Sequence, residues 1–284
     1  MPELPEIEAI RRYLIPILSG QVINHVNTYQ HTVIRNPSTN EFVKLLKGAV
    51  LHNIERIGKI ILFKFYKEKR QLCLFIDHGL TGRLAWGSSS RNIPKKTIFS
   101  LEFGNKKNLI YHDKRLHGAV WLFKNENDQE CEYPVIVKNF GPDILSITKI
   151  EFIHRIKSFH GEIKRVLTNQ RFITGVGNAY SDEILFASRI HPFTRRSQLS
   201  EKDIDKIFLS CRTVLFNATD NIQEMLNNTQ KLNNQTYWRQ KIMKIHIKGG
   251  DPCPICGHKI STIKANRFTN FCRRCQISKN TNFI

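Results

Sequence analysis

Apolar residues at Ile7, Ile10, Leu14 and Leu18 recur three or four positions apart, which predicts an amino-terminal helix burying one face. Pro5 suits its opening turn, where the acids Glu3 and Glu6 also fall, and Gly20 suits its end. From Val22 to about Cys131 the texture changes to short branched and aromatic runs, at 59–65, 72–76 and 97–103, separated by Gly, Asn, Asp and charged residues. Such runs predict strands closing a β-sandwich or barrel, of which we take the sandwich. Beyond the break at Gly141-Pro142-Asp143 the period returns to that of helices. One is expected through Ile150, Ile153, Ile156 and Phe159, a second over 164–172, a third over 178–187, and a fourth through Ile204, Ile207, Phe208, Cys211 and Leu215. The stretch 217–234 is rich in Asn, Thr and Gln with little periodicity, and reads as a mobile loop over a ligand or an ordinary linker. The chain is thus expected to be of mixed α and β class, with domains at 1–133 and 134–240 and a small module at 241–284.

Composition narrows the partners. The formal charge is +20 over 284 residues, which points to a polyanion, although a ribosome-associated factor or a surface adapted to anionic lipid would share it. Its distribution says more: residues 241–279 hold nine Lys or Arg and one acid, Asp251. Phosphate contact is the simplest use of such a segment. Cys73, Cys131 and Cys211 stand singly in or near apolar segments and are expected as small buried thiols in a reducing, intracellular compartment. No apolar run approaches the length needed to span a bilayer, so no membrane role is expected.

The other four cysteines form a metal signature. Cys253 and Cys256, then Cys272 and Cys275, make two CxxC knuckles separated by 15 residues, a spacing that lets four thiolates surround one structural zinc ion with a hairpin between them. Four sulfurs leave no open position for a reacting water, so the metal should stabilise a segment too small for its own core. Arg267, between Asn266 and Thr269 in that hairpin, carries a donor fork suited to phosphate, and Arg273 and Arg274 fill the second knuckle.

At the other end, Met1 precedes the small residue Pro2, and removal of the initiator would expose a secondary amine. An α-amine titrates about two units below a lysine ammonium, so more of it is free to attack an electrophilic carbon. Glu3 and Glu6 can exchange protons with such an amine, or simply favour the start of a helix. In Gly175-Val176-Gly177-Asn178-Ala179-Tyr180 two glycines allow close helix approach, and Asn178 can begin a helix whose free amides suit an anion.

These strings occur together in a known order. MPELPEIE at 1–8, RIGK at 56–59, DHGLTGRL at 77–84, HDKRLHG at 112–118, NQRFITGVGNAYSDEILFASRIHP at 169–192 and the terminal cysteine module resemble the bacterial formamidopyrimidine-DNA glycosylase family over nearly the whole chain. The resemblance implies a monomeric, cytoplasmic, nucleoid-associated repair enzyme that binds damaged duplex DNA without an organic cofactor. It also implies a helix-two-turn-helix element over the 178 region and Pro2 as the nucleophile at C1′. Glu3 becomes a catalytic acid, Glu6 an organiser of the site and Lys59 a phosphate contact near the lesion. Asn178, with Tyr180 nearby, and Arg267 become DNA contacts, and Lys164 lies near the base pocket. Three side chains that fill the hole left by an everted nucleotide match Leu80, Arg115 and His117; Leu80 and His117 depart from the usual Met and Phe. The Gly-rich stretch that covers 8-oxoguanine in relatives has no counterpart at 219–223, so among the oxidised purines expected as substrates the ring-opened formamidopyrimidines lead and 8-oxoguanine comes second. Two rival readings stand beside this one, a specificity for oxidised pyrimidines like that of endonuclease VIII, and a silent damage-binding protein. Leu4 favours the formamidopyrimidine branch over the first.

Overall fold

The computed structural model describes residues 1–68, 70–87, 93–104, 106–125, 132–264 and 267–278. Cys131 and Asn266 lie outside them. The chain divides into two compact units, one of Met1–Pro2, Glu6–Lys138 and Ile222–Gln235, the other of Glu3–Pro5, Asn139–Asn221 and Thr236–Ile284.

The helices are α1 (Leu4–Leu18), α2 (Thr39–Leu46), α3 (Val135–Lys138), α4 (Lys149–Ile156), α5 (Ile163–Leu167), α6 (Asn178–Ala187), α7 (Glu201–Thr229) and α8 (Gln235–Ile242). The strands are β1 (Ile23–Thr28), β2 (Ile34–Asn36), β3 (Val50–Ile57), β4 (Ile60–Lys67), β5 (Arg70–Asp77), β6 (Gly82–Gly87), β7 (Thr97–Phe103), β8 (Asn108–Asp113), β9 (Ala119–Asn125), β10 (Ser261–Lys264) and β11 (Phe268–Phe271).

In the first unit the strands form two sheets, β1-β7-β8-β6 and β2-β9-β5-β4-β3, so the expected sandwich is present, and among the described residues neither sheet closes into a barrel. Strand β4 reads as a continuous apolar run because Ile60, Ile61, Leu62 and Phe63 are all buried, which is how a central strand covered on both faces appears in sequence. The apolar stripe of α1 is buried as its spacing requires, with Ile7, Ile10, Leu14 and Leu18 all out of solvent. On the same helix Glu8 collects Arg11 at 2.7 Å, Arg12 at 3.0 Å and Arg56 at 3.1 Å. Burial raises the Glu8 pKa, but Arg11, Arg56 and Arg12 together outweigh it and keep the carboxyl below its usual range. Arg56 also donates to the carbonyl of Gly58 at 3.0 Å, tying the β3–β4 turn to the helix. Cys73, in the middle of β5, is disulfide-bonded, which corrects the free thiol expected there, whereas Cys211 is a free buried thiol as expected.

The second unit is helical around an aromatic centre, where Phe152 lies 5.1 Å from Phe172 and 5.2 Å from Phe208, ring centre to ring centre. Thr148 caps α4 by accepting the Glu151 N–H. The third expected helix has the bounds of α6, while the second is shorter than expected, ending at Leu167. Residues 217–229 are not a loop: they continue α7. Their polar side chains bond along the helix itself, Thr219 Oγ1 to the Leu215 carbonyl, Asn221 Nδ2 to that of Asn217 and Thr229 Oγ1 to that of Met225, each at 2.8 Å. Ala218, Ile222 and Leu226 meanwhile keep a buried stripe at a spacing of four. Composition hid that sparse stripe. The antiparallel pair β10–β11 is the hairpin expected between the knuckles, with Ser261 facing Phe271 and Lys264 facing Phe268. Among the described residues no helix is long and apolar enough to cross a membrane.

Ile247 has a φ of +60° and is exposed, a conformation that a β-branched residue reaches only against a steric penalty. Ile247→Gly should therefore stabilise the protein by about 1 kcal/mol, read as a rise in denaturation midpoint.

Candidate functional site

In the first unit Pro2 and Glu6 are buried. Lys59 occupies the tight β3–β4 turn, after Gly58 at φ +59°, and this is the turn that Arg56 and Glu8 hold. Ile60 pairs with Asp77 across the β4–β5 ladder, which brings the Lys59 turn to the end of β5. Asp77 Oδ1 accepts the Gly79 N–H at 3.0 Å. Burial pushes the Asp77 pKa up, against the opposing pull of that amide and of the Lys59 charge.

Leu80, Arg115 and His117 are all exposed, on the β5–β6 and β8–β9 loops. Asp113 brings those loops together. Its carboxylate accepts the Thr81 hydroxyl, the Arg115 N–H at 3.2 Å and the Gly118 N–H at 2.7 Å. Burial acts to raise its pKa, but these donors together prevail and hold the carboxyl below its usual range. Thr81 Oγ1 in turn accepts the Arg115 N–H at 3.0 Å. The loops approach so closely that a Cβ on Gly79 would fall 2.7 Å from the His117 carbonyl oxygen, and one on Gly118 2.2 Å from the Tyr111 hydroxyl. Three side chains far apart in sequence are thereby presented from one rigid base.

In the second unit the helix start at Asn178 already has its anion. Glu3 Oε1 accepts the Ala179 N–H at 2.9 Å and Oε2 the Tyr180 N–H at 3.3 Å, while Arg239 lies 3.9 Å away. The positive end of α6 stabilises that carboxylate. Gly177 is required at the cap, since a Cβ there would stand 2.3 Å from the Glu3 carboxyl carbon. The free amides expected to meet phosphate are thus satisfied within the chain. Asn178 donates from Nδ2 to the Phe268 carbonyl at 3.1 Å and is half-buried, whereas Tyr180 is 1% exposed and packs in the helical core.

Lys164, expected near the base pocket, is buried, with Nζ bonded to Asp182 at 2.6 Å, Thr269 Oγ1 at 2.9 Å and the Phe268 carbonyl at 3.2 Å. All three ammonium protons are engaged inside the unit, so none is left for a phosphate. Its pKa is lowered, by burial first, against the favourable pull of Asp182. Asp182 is the hub: its other oxygen lies 2.7 Å from His246 Nδ1 and takes both the N–H and the side-chain amide of Asn270, at 3.2 and 3.1 Å. The adjoining Glu183 accepts the backbone N–H groups of Lys244, Ile245 and His246 at 2.8–3.1 Å. Burial raises its pKa, with those three amides opposing. Two neighbouring acids in an otherwise uncharged helix are the one signal of this network in the sequence, and local spacing does not tell which donors meet them.

Arg267 stands exposed at the tip of the hairpin beside Phe268, whose ring lies under the Lys264 ammonium at 5.8 Å. At the hairpin base the sulfurs of Cys253, Cys256, Cys272 and Cys275 all lie within 4.8 Å of one another, with Cys253 to Cys275 at 3.8 Å and Cys256 to Cys272 at 3.5 Å. Tetrahedral zinc with bonds of about 2.3 Å needs sulfurs about 3.8 Å apart, so the cluster fits one zinc ion. Gln276 locks the second knuckle, accepting the Cys272 N–H and donating to the Ile190 carbonyl, both at 2.9 Å.

Asp182→Ala should leave the buried Lys164 charge uncompensated and destabilise the protein by about 3–5 kcal/mol, whereas Lys164→Met with Asp182→Leu should recover much of that loss. Denaturant titration of the two variants measures the difference.

Three family models match in chain order: the formamidopyrimidine-DNA glycosylase N-terminal domain at residues 1–120, the H2TH domain of the same glycosylase at 140–229, and the zinc finger found in FPG and IleRS at 250–277. A formamidopyrimidine-DNA glycosylase of Mycoplasma mobile is 31% identical, over 97% of this chain and 99% of that one. The Lactococcus lactis Fpg in complex with DNA containing an abasic site superposes with a TM-score of 0.83 at 26% identity, covering 98% of this chain and 100% of that chain. The same organism's Fpg in complex with DNA containing FAPY-dG superposes at 0.82, again at 26% identity, covering 97% of this chain and 100% of that chain.

Proposed function

Since the chain belongs to the formamidopyrimidine-DNA glycosylase family, whose members are glycosylases and abasic-site lyases, we propose that it excises ring-opened purines from duplex DNA with the Pro2 amine as nucleophile. The four cysteines hold one structural zinc ion, which supplies folding energy to the hairpin. The observation that carries the reading is the anchoring of Glu3: its carboxylate is tied to the Ala179 and Tyr180 amides, so the residue next to Pro2 is fixed in place.

With Met1 removed, the amine attacks C1′ of an everted nucleotide, the damaged base departs, and the resulting iminium acidifies the C2′ protons. Successive β and δ eliminations then release the sugar and leave a one-nucleotide gap. Glu3 handles protons at the opening ring and Glu6 organises the site. Lys59, set in its turn by Arg56, contacts the phosphate next to the lesion. Leu80, Arg115 and His117 fill the space that the nucleotide leaves, with Arg115 the only one of them carrying a fixed charge. Asn178 and Arg267 contact phosphates. On this reading residues 1–133 form the catalytic domain, 134–240 the helical DNA-binding domain and 241–284 the zinc module, in a monomer acting on the nucleoid.

The continuation of α7 through 219–223 supports formamidopyrimidines over 8-oxoguanine as the leading substrate, because a helix there offers no covering loop to read the intact purine. A panel of single-lesion duplexes ranks the two. Borohydride should reduce the mature protein and an abasic duplex to a covalent adduct, and a chain that keeps Met1 should give none; no adduct from the mature protein overturns the mechanism. Arg267→Ala should weaken binding to damaged and undamaged duplexes alike and lower the slope of log K against log salt by about one, measured by titration at several ionic strengths.

A further inference from the structure

Glu8 takes no part in the proposed chemistry, yet its carboxylate is the meeting point of three guanidinium groups within the first unit. Oε1 takes Arg11 Nη2 at 2.7 Å and Arg12 Nε at 3.0 Å, while Oε2 takes Arg11 Nε at 3.0 Å and Arg56 Nε at 3.1 Å. The side chains of Glu8 and Arg56 are each 9% exposed. A buried ion pair adds little stability over apolar side chains of the same volume, and one arginine would already balance the charge. Stability therefore does not account for the cluster.

What the arginines reach does. Arg11 Nη1 donates to the Ile54 carbonyl at 3.4 Å and Arg56 Nη1 to the Gly58 carbonyl at 3.0 Å, so one carboxylate on α1 fastens both β3 and the turn that follows it. Ile57 pairs with Ile60, which leaves Gly58 and Lys59 as the whole of that turn. The Gly58 carbonyl belongs to the planar peptide unit whose nitrogen is that of Lys59. Arg56 thus grips the peptide that places the Lys59 Cα, and Glu8 places Arg56. The same carboxylate stands on the helix that begins two residues after Pro2.

We propose that Glu8 is a positioning residue for the Lys59 phosphate contact: through Arg56 it fixes the Gly58–Lys59 peptide against α1, and so holds the phosphate beside the lesion in register with the amine at the head of that helix. With its charge engaged by Glu8, Arg56 acts as a strut of the turn rather than as a second phosphate ligand. The nucleophile and the phosphate contact are carried by elements that meet at one carboxylate.

The inference rests on the reading of Lys59 as a phosphate contact, and uncharged phosphates separate the two. Equilibrium binding is measured on duplexes holding a tetrahydrofuran abasic analogue, either with natural phosphates or with the flanking phosphates replaced one at a time by methylphosphonate. Binding needs no covalent step, so the outcome does not depend on Pro2. On natural phosphates Glu8→Gln, Arg56→Met and Lys59→Met should each bind about tenfold more weakly than the mature wild type. On the methylphosphonate that removes the Lys59 contact, all three should bind as the wild type does, because the interaction they disturb is already gone. Equal loss on every duplex in Glu8→Gln and Arg56→Met, as a general structural defect would give, or no loss on any, overturns the role of Glu8 alone. A Lys59→Met protein that behaves in either of those ways overturns the Lys59 reading and the proposal with it. Arg56→Met keeps Glu8 paired with Arg11 and Arg12, so it decides the matter should Glu8→Gln not fold.

Discussion

Two adjacent carboxylates, Asp182 and Glu183, hold the second unit in the form its chemistry needs. They lie on α6, almost out of solvent, and each is satisfied by donors that sequence places elsewhere. Glu183 gathers three consecutive backbone amides from the segment leading to the zinc module, and Asp182 gathers Lys164, His246 and Asn270. Burying charge is unfavourable unless every lone pair finds a donor, so the network is close to all-or-none. Its satisfied state fixes the direction in which the hairpin leaves α6. The zinc ion can stiffen the knuckles, but sulfur ligation alone would not tell the hairpin where to point.

The same helix serves at its other end. The first turn of α6 leaves amides without partners, and Glu3 fills that need with a carboxylate from the beginning of the chain. The helix thus gains a cap and Glu3 gains two backbone donors. Gly175, at φ +102°, and Gly177 make room for it, since a side chain at either would run into Leu4 or Glu3. A single short helix therefore secures the amino-terminal residues at one end and the zinc hairpin further along.

Much of this was legible in the sequence because it depends on local spacing. The CxxC pairs, the stripe of α1, the bounds of α6 and the apolar run of β4 each follow from a period or a ligand count that a linear string displays. Legibility ended where a residue's role depends on what comes to meet it. Lys164 reads as a free cation until Asp182, Thr269 and Phe268 are brought to it, and Tyr180 reads as a contact until the core closes over its ring. The polar stretch after Asn217 misled for another reason: its amides and hydroxyls bond back along their own helix, so a composition that suits a loop conceals a stripe of Ala218, Ile222 and Leu226.

The loop base built on Asp113, Gly79 and Gly118 separates what is constrained from what is free. The contacts described above that fix it are made by backbone amides, the Asp113 carboxylate, the Thr81 hydroxyl and the close approach of glycines, and none of these uses the side chain of Leu80, Arg115 or His117. Those three can be exchanged in a lineage without refolding their support, while a methyl group at Gly118 has nowhere to go. Change at the tips is therefore open to small steps, whereas change in the base beneath them is not.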